Sequence, residues 1–77
     1  MTSVNMWALL TPKGKILKDT VAATRQECWE RGFWAVSSRQ GDGWQQLYWK
    51  RWDESIRSAR RLGYKIRRVS VIAQVIP

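Results

Sequence analysis

The chain has 77 residues, with 14 Lys and Arg against six Asp and Glu and a net charge of +8. That length accommodates one domain, residues 1–77, and no second one. Cys28 is the sole cysteine, which excludes a disulfide framework, and the longest charge-free apolar stretch, 69–77, is far too short to span a bilayer.

Met6 to Leu10 is short and apolar and reads as a strand. Thr11-Pro12-Lys13-Gly14-Lys15 follows as a turn, because Pro presets φ and Gly accepts a positive φ. Ile16 to Ala22 is the return strand, with Leu17 and Val21 expected on one face and Lys18 and Thr20 on the other. Thr24-Arg25-Gln26-Glu27 has capping-box spacing, in which hydroxyl and carboxylate satisfy each other's free amides. Cys28, Trp29, Phe33 and Val36 continue as a helical apolar stripe, giving a helix over 25–38. Gly32 interrupts that stripe, so a shorter helix with Phe33–Ser37 as a strand is the alternative. Residues 37–43 read as a turn-rich loop.

Tyr48, Trp52, Ile56, Ala59 and Leu62 recur at three and four residues and predict one helix over 44–62. Gly63 sits where a helix C-cap belongs, and Arg60 and Arg61 complement the negative helix end. Tyr64 to Val75 is rich in β-branched residues and reads as the last strand. The expected fold is α+β in the order β-β-α-α-β, a three-stranded antiparallel sheet with two helices packed on one face. Nine aromatics, six of them Trp, supply the core of this small domain. Six Trp exceed what packing needs, so one or two are expected on the surface.

Catalytic chemistry finds little support. There is no histidine, which removes the commonest general base and metal ligand. One Cys without His makes neither the usual zinc site nor an activated thiol. Cys28 falls on the apolar stripe and reads as a buried structural thiol. Asp53 and Glu54 diverge on their helix and are expected to pair with Lys50, Arg57 or Arg61. Gly41-Asp42-Gly43 lacks the lysine of a phosphate loop. No enzyme, metal site or cofactor is expected.

The charge is uneven. Lys50 to Arg68 contains eight basic residues against Asp53 and Glu54, which is +6 of the total +8. Lys50, Arg57, Arg60, Arg61, Lys65, Arg67 and Arg68 are the expected contacts to nucleic acid or to an acidic partner. Arg grips phosphate or carboxylate bidentately, and a helix tail running into a strand brings the two groups of cations close. Trp34 and Trp49 fall off their helices' main stripes and are the candidates for stacking on bases. No helix-turn-helix, zinc finger or ribonucleoprotein motif appears, so base-specific readout is not expected.

Trp7-Ala8-Leu9, Pro12-Lys13-Gly14-Lys15-Ile16-Leu17, Thr24-Arg25-Gln26-Glu27, Leu62-Gly63-Tyr64 and Val69 together resemble short proteins common in phages and prophages. The resemblance covers most of the chain and implies a phage accessory role, including binding to host defence complexes as an inhibitor. It carries over no functional residues. The reading is therefore a non-enzymatic, cytoplasmic phage-type protein that binds nucleic acid through a basic face. The alternative is an inhibitor or adaptor docking on an acidic host protein. No membrane partner is expected, and an exposed apolar helix face or sheet edge would favour a homodimer.

Overall fold

A computed structural model describes residues 2–73. The elements are β1 (Thr2–Leu10), β2 (Ile16–Ala22), α1 (Arg25–Gln40), α2 (Asp42–Tyr48), α3 (Trp52–Arg61) and β3 (Lys65–Ala73). The strands form one antiparallel sheet in the order β2-β1-β3, as expected for this α+β chain. Among the described residues there are three helices where two were expected; α1 packs against all three strands, and α2 and α3 pack against α1.

The hairpin forms as the sequence implies. Gly14 takes φ +84°, and the turn closes through Gly14 N donating to Thr11 O at 2.8 Å and Thr11 N to Lys15 O at 2.9 Å. β1 starts at Thr2 rather than Met6, because β3 pairs with it all the way from Leu10–Lys65 to Thr2–Ala73. β2 is shorter and pairs only from Trp7 to Leu10. The β1–β3 ribbon therefore continues beyond the third strand, and the molecule measures 44 × 22 × 19 Å. β3 closes the described part of the last strand at Ala73; the rest of the expected strand lies outside the described residues.

Thr20 reverses its expected face. The β1–β2 register shifts between Trp7 and Leu9, and this irregularity turns Thr20 inward, where it is fully buried. Its hydroxyl accepts from Leu9 N at 2.9 Å and donates to Leu17 O at 2.6 Å. A side chain thus replaces the ladder bonds that the bulge removes.

Thr24 caps α1 by accepting from Glu27 N at 3.1 Å. The reciprocal half of the box is absent: Glu27 turns to Arg31 at 3.0 Å instead, a helical pair four residues apart. α1 runs through Phe33–Ser37 and on to Gln40, so neither the strand alternative nor a loop over 37–43 exists. Gly41, at φ +98°, is the whole break. Gly32 is tolerated because it fits against Leu9 and Trp29, where an added Cβ would meet both at 3.1 Å.

The expected helix over 44–62 is broken at Lys50, whose φ is +61°. Left-handed backbone costs a non-glycine residue about 1–2 kcal/mol. The geometry shows what offsets it. On one straight helix Trp44 and Trp49 would point about 140° apart. After the break the rings of Trp44, Trp49 and Trp52 converge on Phe33, with centroids 5.3, 5.8 and 5.2 Å away. Such aromatic pairs contribute about 0.5–1.5 kcal/mol each beyond burial. Two indole N–H groups find serine hydroxyls on α3: Trp29 to Ser55 at 2.8 Å and Trp44 to Ser58 at 3.1 Å. Phe33, Leu9, Val36 and Cys28 are the large buried side chains of the resulting core. Leu62, expected to close the apolar row, is instead exposed at the helix end.

That end is a Schellman motif. Gly63 N donates to Arg60 O and Tyr64 N to Ala59 O, both at 3.0 Å. Gly63 has φ +100°, and a Cβ there would sit 2.9 Å from the Pro12 side chain. Gly63→Ala is expected to cost at least about 1–2 kcal/mol from the backbone alone, read as a lower urea midpoint. An unchanged midpoint would contradict this account of the turn.

Candidate functional site

The Schellman turn is what assembles the basic site. It reverses the chain within three residues, so Arg60 in the last turn of α3 stands beside Lys65 and Arg67 at the start of β3. These three, with Arg25 from the first turn of α1, line a concavity of ≈250 Å³ whose apolar floor is Tyr64 and Ile66. Among the described residues no carboxylate lines it. Arg25 also reaches over the Trp7 ring at 5.0 Å, and Arg68 reaches the same ring at 5.5 Å. Arg68 is the cross-strand partner of Trp7, so both side chains leave the same sheet face. A guanidinium over an indole face is held by the ring quadrupole. Its hydrogen-bond donors stay free for an oxyanion.

The expected cations do not form one zone. Arg60, Lys65 and Arg67 come together, and Arg68 joins them through Arg25 and Trp7. Lys50, Arg57 and Arg61 lie apart. Lys50 and Arg57 line one hollow with Arg51, Asp53 and Glu54, and Arg57 and Arg61 line another with Tyr48 and Glu54. Acids are interleaved in that second group. Glu54 pairs with Arg51 at 3.6 Å, not with Lys50, Arg57 or Arg61 as expected. Among the described residues the two ion pairs are Glu27–Arg31 and Glu54–Arg51, and neither involves the concavity.

Arg25 was missed by sequence reasoning, which assigned it only to a capping motif. Strand register places it: Ala22 pairs with Trp7, three residues before α1 begins, and no sequence pattern signals that pairing.

Trp34 and Trp49 are both exposed, at 49% and 44%. They touch each other, with centroids 5.2 Å apart and planes tilted by 49°, and both rest on Phe33. Their mutual contact leaves outer ring faces open rather than a slot between them. Trp34 lies nine residues along α1 from Arg25, about 13 Å at helical rise.

Glu30 and Asp53 share a groove of ≈320 Å³ between α1 and α3, with Gln26, Trp29, Trp52 and Ile56. Among the described residues no three metal-ligating side chains come together, and no helix is long and apolar enough to cross a membrane. Cys28 lies on the buried side of α1, and burial pushes its thiol above the ordinary value.

These features define the chain as an α+β domain with one carboxylate-free cationic concavity and a Trp-rich helical layer. No family model matches the chain, and no curated protein and no solved structure matches it.

Proposed function

We propose that this is a non-enzymatic accessory protein of the phage type that binds nucleic acid through the phosphate backbone. The observation that carries the reading is the concavity lined by Arg25, Arg60, Lys65 and Arg67 with no acid in its wall. Arg68, held on Trp7 beside it, adds a fifth cation. Guanidinium forks match phosphate oxygens bidentately, and no carboxylate in the wall competes for them, although Arg67 gives one Nη1 hydrogen bond to Ile66 O.

The test is salt-dependent binding of a labelled oligonucleotide, read by fluorescence polarisation. If the five cations each neutralise one phosphate, log affinity falls against log salt with a slope of about −4.5 on duplex DNA and about −3.5 on a single strand. Arg60→Ala with Arg67→Ala should remove about two from the duplex slope, alike for all base sequences. Arg57→Ala with Arg61→Ala should leave it nearly unchanged. Absence of binding at low salt, or an equal response to both pairs, overturns the reading.

A second reading, docking on an acidic host protein, is favoured by the exposed Trp34–Trp49 pair. Trp and Arg are the residues that most often anchor protein interfaces. Co-purification that survives nuclease treatment and is lost in Trp49→Ala would select it.

A further inference from the structure

Among the described residues no strand pairs with the outer edge of β3, and that edge has a polarity that the basic site does not explain. Lys65, Arg67 and Arg68 crowd its first half, while Val69 to Ala73 carries no charge. Two hydrogen bonds fix which backbone groups face outward. Arg67 Nη1 donates to Ile66 O at 3.0 Å, so that carbonyl is turned from β1. Leu9, the partner of Ile66, gives its N–H to Thr20 on the β2 side. Leu9 and Ile66 are thus a non-hydrogen-bonded pair, and by alternation Ile66, Arg68, Ser70 and Ile72 point their backbone groups to the open edge.

The geometry points to a second copy of this chain as the occupant of that edge, joined antiparallel about a two-fold axis through Val69. This register sets Ile66 opposite Ile72 of the second copy and Arg68 opposite Ser70, so every outward group meets an outward group. About eight backbone hydrogen bonds result from those pairs. It also sets Arg67 opposite Val71 and Lys65 opposite Ala73, so no cation faces a cation. Shifting the axis to Arg67 or Arg68 puts a guanidinium opposite itself, and shifting it toward Ala73 shortens the overlap among the described residues. Ile72, 64% exposed in the monomer, gains Ile66 of the second copy as an apolar cross-strand neighbour. Where the β1–β3 ribbon runs past β2 it is marginal as two strands, and pairing makes its β3 strand interior to a joined sheet. Both helical layers then lie on the same face, and both basic sites with them.

The proposal does not require nucleic-acid binding, although Lys65, Ile66 and Arg67 belong to both surfaces, and salt separates the two. Two chains of +8 each repel, so screening should strengthen the dimer several-fold where it weakens polyanion binding. Sedimentation or light scattering across a concentration series is expected to show the mass rising from 9.1 kDa toward twice that value, further at higher salt. Ser70→Pro removes an outward N–H without touching the β1 ladder, and Ile72→Lys places a cation in the apolar pair. Each is expected to hold the mass at the monomer value while circular dichroism and the thermal melt report an intact fold. A wild-type chain that stays at 9.1 kDa in high salt overturns the proposal, as do variants that dimerise like wild type.

Discussion

Phe33→Ala is expected to lower the unfolding free energy by about 3–5 kcal/mol, the usual range for emptying a buried aromatic site. A 77-residue domain has only about 4–12 kcal/mol in total, so the variant should stand at the edge of folding. The reason is the position of this ring. Phe33 is fully buried, and Trp29, Trp34, Trp44, Trp49 and Trp52 all lie within 6.5 Å of it, centroid to centroid. It joins α1 to α2 and α3 and is what the left-handed break at Lys50 turns toward. Urea melts followed by tryptophan emission would measure the loss, with the folded-state spectrum shifted to longer wavelength. A loss below about 1 kcal/mol, typical of surface changes, would show that the cluster is not the domain's centre.

Thr20→Val is expected to cost about 2–4 kcal/mol although the two side chains are nearly the same shape. The change strips the partner from Leu9 N and from Leu17 O in a buried position. Each unpaired group costs about 1–3 kcal/mol of desolvation. Thr20→Ser keeps the hydroxyl and should lose much less. Equal stability for the valine and serine variants would remove the hydrogen-bonding role of Thr20.

Where the sequence was a sound guide, local chemistry and global packing agreed. Pro12 and Gly14 forced the hairpin, Thr24 set the start of α1, and Gly63 ended α3, each through backbone conformations few other residues provide. It failed where tertiary contacts overrode local preference. Thr20 looked outward because strict alternation was assumed, and only the register shift between Trp7 and Leu9 turns it in. The segment 44–62 had uninterrupted helical periodicity, yet convergence on Phe33 favoured a break at a lysine that carries no turn signature. The candidate site was half legible. Chain proximity found Arg60, Lys65 and Arg67 as neighbours, but it also grouped them with Lys50, Arg57 and Arg61. Those line other hollows, around the break at Lys50 and the start of α3 and beside Tyr48, which chain proximity alone could not separate. Arg25 was hidden because it comes from a distant segment and is placed by strand register.

The sheet order β2-β1-β3 also has a temporal meaning. The central strand's longest pairing is with residues that follow it by more than fifty positions, so loop closure must precede most of the sheet's stabilisation. On a ribosome making the chain from its N-terminus, Trp7 and Leu9 emerge well before their β3 partners. For that interval the nascent hairpin has an unsealed flank open to strangers, which makes early synthesis the stage at which a chaperone's protection would matter most.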